Sequence, residues 1–82
     1  MDVPSNDEAG ADCVSEALKG TLGRNVRTRR RAQGLGKSAF CLMAGISRPT
    51  LDKIEAGTAD PKLSSISRMA DALDVEPGEL LE

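Results

Sequence analysis

The stretch from Leu35 to Gly57 constrains the fold most strongly, because it has the pattern of two short helices separated by one glycine. The second helical segment carries signals at both of its ends. Ser47 offers a hydroxyl that can cap a helix, Pro49 presets φ in the first turn, and Gly57 tolerates the positive φ that often follows a last turn. We therefore expect a helix from Arg48 to Ala56.

The two faces of this expected helix differ in chemistry. At about 100° per residue, Leu51 and Ile54 share one face, which predicts that this face packs against the core. The opposite face is small, polar and partly cationic. It contains Pro49, Asp52, Lys53 and Ala56.

The segment before this helix supplies its partner. Residues Lys37 to Ala44 make two helical turns, after which Gly45 lets the chain reverse sharply. The bulk of Ile46 is expected to fill the corner between the two helices. Two short helices joined in this way form a helix-turn-helix, which we place at helices 2 and 3 of the chain.

The charge of the chain is divided unevenly along its length. The net charge is −2, but residues 1–18 hold five acids and no Lys or Arg. Residues 19–53 hold nine Lys and Arg against one Asp, for a net charge of +8, and the remainder is again acidic at −5. A positive charge concentrated on and just before the helix-turn-helix is typical of a phosphate-binding face.

Most catalytic and metal sites need residues that this chain lacks. It contains no His, no glycine loop suited to phosphate and no serine in a nucleophile elbow. Cys41 lies between two apolar residues, where a buried thiol acts as a small hydrophobe, and nothing in the sequence supports a disulfide or redox role for Cys13. We predict no enzymatic activity, no cofactor and no metal.

No targeting or membrane signal is visible in the sequence. No apolar run approaches the length of a membrane span, and the N-terminus lacks the basic start and apolar centre of a secretory signal. We expect a cytoplasmic protein, associated with the nucleoid and without a membrane partner.

The N-terminal third is expected to begin with a leader and continue as helix 1. Residues 1–11 are acidic, contain Pro and Gly, and show no periodicity, which predicts a flexible acidic leader followed by one domain over residues 12–82. Helix 1 is expected to begin near a cap at Asp12 or Ser15 and to run to about Ala32. Its apolar residues recur every four positions, at Val14, Leu18, Leu22 and Val26.

The segment after helix 3 completes an all-α fold. Thr58 to Pro61 has the composition of a turn, and residues 63–73 show the apolar spacing of helix 4. A last turn over Pro77 to Leu81 can close the core. The predicted fold is therefore five short helices with no strand. The apolar positions of helix 4 are Leu63, Ile66, Met69, Ala70 and Leu73.

Residues 22–81 also resemble a known family, the DNA-binding domains of the Cro and phage-repressor (XRE) class. The matching landmarks are GL at 34–35, AGIS at 44–47, IE and G at 54–57, DP at 60–61, and the ADAL, V and ELL of the C-terminal segment. The resemblance implies a Cro/repressor-like five-helix domain. It also implies a transcription regulator that reads double-stranded DNA sequence-specifically.

Under this resemblance the helix from Arg48 to Ala56 is the recognition helix, which lies in the major groove. Arg48 can pair with guanine, Thr50 can offer its hydroxyl or methyl, and Lys53 can donate to a guanine or a phosphate. Lys37 and Ser38, at the start of helix 2, are expected to contact phosphate. The expected DNA-binding residues are Lys37, Ser38, Ser47, Arg48, Pro49, Thr50 and Lys53.

The resemblance implies one structural ion pair as well. Arg30 falls where relatives keep an arginine, and Glu55 matches the glutamate with which that arginine pairs. Both side chains are expected to be partly buried and to fix helix 1 against helix 3.

Helix 2 is apolar on more faces than a short surface helix needs. Leu42 and Met43 stand where relatives keep mostly polar residues, so we predict a partner surface at this pair. The cover could be the leader of the same chain, a second subunit or another partner.

Two functions of different class remain open from the sequence. The first is a sequence-specific regulator that binds double-stranded DNA, as a homodimer at least on DNA. The alternative is a helix-turn-helix used as a protein-interaction module, such as an antitoxin or a bridging factor. The +8 segment favours DNA, because an interaction module does not require it.

Overall fold

The computed structural model describes the backbone of residues 4–82 and the side chains of residues 16–82. Within this part of the chain every regular element is helical, which confirms the all-α class. Four α-helices are followed by a C-terminal 3₁₀ helix. Their bounds are α1 Pro4–Ala32, α2 Lys37–Ala44, α3 Arg48–Glu55, α4 Leu63–Leu73 and the 3₁₀ helix Pro77–Leu81.

The N-terminal helix differs from the prediction. It begins at Pro4 rather than near Asp12 and is 29 residues long. A proline in the first turn of a helix is favourable, because its fixed φ suits the helix and its missing N–H has no partner there. The division of the chain at residue 11 into a leader and a domain stays a prediction, and the side chains of Cys13 and Val14 lie outside the described residues.

Three further expectations need correction. The fifth element is a single 3₁₀ helix rather than an α-helix, and α3 ends at Glu55 with Ala56 as its C-cap. Leu63, one of the apolar positions expected of helix 4, is the first residue of α4 and is 81 % exposed.

The core lies between α1 and its neighbours α3, α4 and the 3₁₀ helix, and α2 packs onto α3 and α4. Every described element contributes to it, so no element of the helix-turn-helix depends on one neighbour alone. Phe40 is fully buried and supplies the only aromatic ring of the sequence. The other buried apolar residues are Leu22, Val26, Cys41, Ala44, Leu51, Ile54, Ile66, Met69, Ala70, Leu73 and Leu80.

Part-buried hydrogen bonds from α1 close the ends of α4 and of the 3₁₀ helix. The side-chain amide of Asn25 on α1 donates to the carbonyl of Leu80 at 3.0 Å, and that of Gln33 donates to the carbonyl of Leu73 at 2.6 Å. These bonds satisfy carbonyls that the last turns of short helices leave without an intrahelical donor. They also hold the C-terminal half of the chain against α1.

Asp74 ends α4 in a conformation that favours glycine. Its φ is +60° and ψ is 44°, and its N–H donates to the carbonyls of Ala70 and Asp71. A left-handed conformation is costly for a residue with a Cβ, and a carboxylate at a helix C-terminus faces the negative end of the helix dipole. We therefore expect Asp74→Gly to raise the free energy of unfolding by about 1 kcal/mol.

Urea unfolding at neutral pH tests this expectation, and Asp74→Asn is the matched control. Asparagine removes the charge and keeps a Cβ. The free energy of unfolding of Asp74→Asn should therefore rise only by the electrostatic contribution. An Asp74→Gly protein less stable than Asp74→Asn would contradict the role assigned to backbone conformation.

Candidate nucleic-acid interface

The turn between α2 and α3 is built on Gly45. Its φ of +69° places it in the left-handed region, and its N–H donates to the carbonyl of Cys41. The next amide, of Ile46, donates to the same carbonyl at 3.1 Å. Arg68 of α4 donates through Nε to the carbonyl of Ala44 at 3.1 Å, so the exposed end of α2 is tied to α4. The turn is therefore fixed from both sides.

The start of α3 is capped as the sequence predicts. The backbone amide of Thr50 donates to Ser47 Oγ at 3.2 Å, and Ser47 Oγ donates to Thr50 Oγ1 at 2.7 Å. Pro49 occupies the first turn. The Ser47 hydroxyl is therefore engaged within the helix start, and this engagement orients the Thr50 hydroxyl at the exposed N-terminus of α3.

Residues from α2 and α3 converge beside this helix start. Lys37 Nζ lies 3.0 Å from Asp52 Oδ1, and Arg48 Nε lies 3.8 Å from the same oxygen. Arg48 Nη1 also donates to Ser38 Oγ at 3.3 Å. The structure thus brings three of the predicted DNA-binding residues into one exposed cluster, with Asp52 among them.

The carboxylate in this cluster is ionised at neutral pH. The hydrogen bond from Lys37, followed by the positive charges of Lys37 and Arg48, holds the pKa of Asp52 below its ordinary value. The side chains of Lys37, Arg48 and Asp52 are all open to solvent, so a polyanion can reach the two cations. Of the other predicted DNA-binding residues, Pro49 and Lys53 are exposed and Thr50 is half-buried.

The ion pair implied for α1 and α3 is present in the structure. Arg30 Nε lies 2.8 Å from Glu55 Oε2, and Arg30 Nη2 lies 3.2 Å from Glu55 Oε1. The remaining nitrogen, Nη1, donates to the carbonyl of Leu35 at 2.8 Å. Arg30 is 6 % exposed and Glu55 8 %, so the pair is buried. One guanidinium therefore joins the end of α1, the chain before α2 and the end of α3.

The electrostatics of this pair favour its charged form. The hydrogen bond to Glu55 raises the pKa of Arg30, although burial opposes the shift. Arg27 Nε lies 3.7 Å from Glu55 Oε1 and adds a second positive charge. Glu55 thus anchors α3 to two arginines of α1.

This geometry agrees with a comparison of the sequence with known families. The sequence model of the helix-turn-helix family HTH_3 matches residues 26–80. The chain belongs to this helix-turn-helix family. The match includes all of α2, α3 and α4, and it confirms the resemblance to the Cro and phage-repressor class.

Solved structures of the helix-turn-helix family share the fold. The restriction-modification controller protein C.AhdI from Aeromonas hydrophila superposes with a TM-score of 0.74 at 33 % identity, over 78 % of this chain and 97 % of that one. The hypothetical transcription factor NHTF from Neisseria superposes with a TM-score of 0.75 at 29 % identity, over 79 % of this chain and 75 % of that one.

A third structure shows the fold alone. It is an HTH_3 family transcriptional regulator from Vibrio cholerae, with a TM-score of 0.76 at 21 % identity. The match covers 80 % of this chain but 37 % of that regulator, so the same fold forms a minor part of a longer protein there.

The predicted partner surface on α2 of this helix-turn-helix chain is open. Leu42 is 85 % exposed and Met43 56 %, so none of the described side chains covers the pair. The cover proposed for it from the N-terminal segment falls partly on side chains outside the described residues. A partner at this surface stays a prediction.

Sequence reasoning missed three polar residues that join one helix of the fold to another. Asp52 was placed on the exposed face without a role, although its spacing of four from Arg48 is that of an ion pair on one helix. Arg68, which holds the end of α2, has no signal in the sequence. Arg29 Nη2 lies 3.3 Å from Glu79 Oε1 and so ties α1 to the 3₁₀ helix, a contact with no signal in the sequence.

Two other kinds of site are missing from the residues that the structure describes. None of their helices is both long and apolar enough to span a membrane. Within the same residues, no three potential ligands among Cys, Asp and Glu come together as a metal site requires.

Proposed function

We propose that this chain is a transcription regulator that binds double-stranded DNA sequence-specifically and reads the major groove with α3. The observation that carries the proposal is the convergence of Lys37, Ser38 and Arg48 at the exposed N-terminus of α3. Membership of the helix-turn-helix family and the likeness to solved regulators support it.

The charge of the chain supports a polyanionic partner despite the net charge of −2. The +8 segment, residues 19–53, contains α2, the first six residues of α3 and the basic end of α1. Lys and Arg on such a face release counterions from DNA when they meet phosphates. The same segment steers DNA toward α3 rather than toward the acidic C-terminal segment.

The residues of the interface divide into two roles. Lys37 and Ser38, with the free amides of the first turn of α2, contact phosphates and set the position of the domain. The residues at the start of α3 reach base edges, and Ser47 holds that helix start in place. The proposed base-contacting residues are Arg48, Pro49, Thr50 and Lys53.

We propose further that the protein binds DNA as a homodimer. Helix-turn-helix dimers place their recognition helices in successive major grooves, about 34 Å apart, on two-fold symmetric half-sites. Binding of this kind takes place at the nucleoid, in the cytoplasm. Sedimentation with and without a selected site measures the number of chains on the DNA.

The exposed pair Leu42 and Met43 favours a second candidate function. An exposed apolar pair next to a DNA-facing motif suits an interaction module whose partner binds DNA or carries an activity. Heparin retention followed by a mobility shift on genomic fragments at two salt concentrations distinguishes the two. Failure of the purified chain to shift any fragment at low salt would favour the interaction module.

Replacing Arg48 is expected to reduce the sequence selectivity of DNA binding, whereas replacing Lys37 is expected to leave it unchanged. Arg48→Ala is expected to weaken binding to the best selected site by about 1 to 3 kcal/mol, because a bidentate contact to one guanine is lost. Binding to random DNA should change much less. Lys37→Ala is expected to weaken binding to every sequence alike and to reduce the salt slope by about 0.9.

Sites selected from random DNA, followed by affinity titration at several salt concentrations, measure both effects. The two variants serve as controls for each other, since each removes one positive charge from the same cluster. Equal losses on best and random DNA after Arg48→Ala would remove Arg48 as a base-reading residue.

A further inference from the structure

We propose that Asp52 is a specificity-determining residue, whose carboxylate restrains Lys37 and Arg48 and disfavours DNA that presents only phosphate or acceptor groups to α3. This inference rests on the proposed DNA-binding function. It concerns a residue of the proposed recognition helix that carries the wrong charge for phosphate.

The geometry places one anion between two cations of the interface. Asp52 Oδ1 lies 3.0 Å from Lys37 Nζ on α2 and 3.8 Å from Arg48 Nε on α3. The Asp52 side chain is 51 % exposed, so it lies on the surface that DNA approaches. The carboxylate therefore neutralises part of the positive charge that would otherwise bind any phosphate.

The contact with Arg48 also affects how that residue is presented. Asp52 approaches the guanidinium at Nε, while Nη1 donates to Ser38 Oγ. These two contacts restrain the plane of the guanidinium. A guanidinium held in this plane can exchange the weak Ser38 contact for guanine O6 and N7 without a search through rotamers, which favours a bidentate contact.

The negative charge itself discriminates between bases. A carboxylate in the major groove accepts a hydrogen bond from the amino group of cytosine, but it is repelled by the acceptors of guanine and by phosphate. A DNA site without a cytosine at this position offers the Asp52 carboxylate no hydrogen-bond donor. It instead places an acceptor or a phosphate close to the negative charge of Asp52. Asp52 thus lowers the affinity for wrong sites more than it lowers the affinity for the right one.

Asp52→Asn tests the proposal, because it removes the charge and keeps the shape. We expect affinity for random DNA to rise about fivefold at low salt and the salt slope to steepen by about 0.9, as one more cation becomes available to phosphate. The ratio of best-site to random-DNA affinity should fall about tenfold. Asp52→Glu retains the charge and should keep affinity for random DNA near that of the wild type.

Asp71→Asn is the matched control. Asp71 is exposed on α4, and it forms no ion pair with any described side chain, so this variant makes the same change in net charge away from the cluster. Its affinity for random DNA should change less than about twofold. Thermal unfolding of the three variants shows whether each retains the fold.

A background that lacks both partners tests the mechanism. In a protein with Lys37→Gln and Arg48→Gln, adding Asp52→Asn should raise affinity for random DNA by much less than about fivefold, because the cations that the carboxylate restrains are absent and only its direct repulsion of phosphate remains. A full rise in that background would overturn the proposal.

The outcomes separate this inference from the proposed function. Wild-type protein that binds no DNA at low salt overturns both. Wild-type protein that discriminates between sites, together with Asp52→Asn behaving like Asp71→Asn, overturns only the role of Asp52.

Discussion

Arg30→Ala is expected to lower the free energy of unfolding by about 3 to 5 kcal/mol, because it leaves the buried carboxylate of Glu55 with a single, more distant arginine. This decrease in stability is larger than the decrease caused by removing a surface charge. The reason is that three nitrogens of the Arg30 guanidinium contact Glu55 and the carbonyl of Leu35. The carbonyl of Leu35 loses its donor in the same substitution. Urea unfolding measures the change without the screening that a guanidinium salt would introduce.

Arg31→Ala is the matched control for this prediction. Arg31 is the next residue of α1 and is exposed, so the same replacement there should change stability by less than about 0.5 kcal/mol. A double-mutant cycle of Arg30→Ala with Glu55→Ala should give a coupling energy of about 1 to 3 kcal/mol. Additive single effects would mean that the two side chains do not stabilise the fold as a pair.

The positions of the motif helices were predictable because their signals are local. The glycine turn, the Ser47 cap and the proline in the first turn each determine the backbone within a few residues. The structure therefore begins and ends α2 at the predicted residues and begins α3 at the predicted Arg48. The one-residue difference at the end of α3 reflects Ala56 acting as a C-cap.

The start of α1 was not predictable from the same kind of signal. Periodicity detects a helix by its apolar stripe, and residues 4–11 have none. A helix without an apolar stripe can be held by its backbone hydrogen bonds. Composition alone does not distinguish such a helix from an irregular acidic segment.

Contacts between distant residues were predictable only where the family resemblance supplied them. Arg30 and Glu55 were paired in this way, although 25 positions separate them. The pairing of Lys37 with Asp52, and that of Arg29 with Glu79, depend on how the helices pack. A single sequence contains no record of that packing, so the restraint on the proposed DNA face was found only in the structure.

Gly23 is a second case in which packing explains a residue that the sequence leaves puzzling. Glycine is unfavourable inside a helix, yet α1 contains Gly23 at the point where it crosses the end of α3. A Cβ at this position would collide with the carbonyl oxygen of Ile54 and lie 3.1 Å from that of Glu55. Both obstacles are backbone atoms, which cannot move aside as a flexible side chain can.

Gly23→Ala is therefore expected to lower the free energy of unfolding by about 2 to 3 kcal/mol, the cost of overpacking at a rigid contact less the gain in helix propensity. The substitution should also push the end of α3 away from α1 and weaken the coupling between Arg30 and Glu55. Urea unfolding of the single variant, and the double-mutant cycle repeated in its background, measure the two effects.

Gly20→Ala, one turn earlier in the same helix, is the control with the opposite sign. A Cβ there has no other atom within 4 Å, so the variant should gain about 1 kcal/mol from helix propensity alone. If both alanine variants were stabilised to the same extent, α1 would not approach α3 as closely as the structure shows. A loss confined to Gly23 would instead mean that the proposed recognition helix is positioned by a backbone contact that tolerates no side chain.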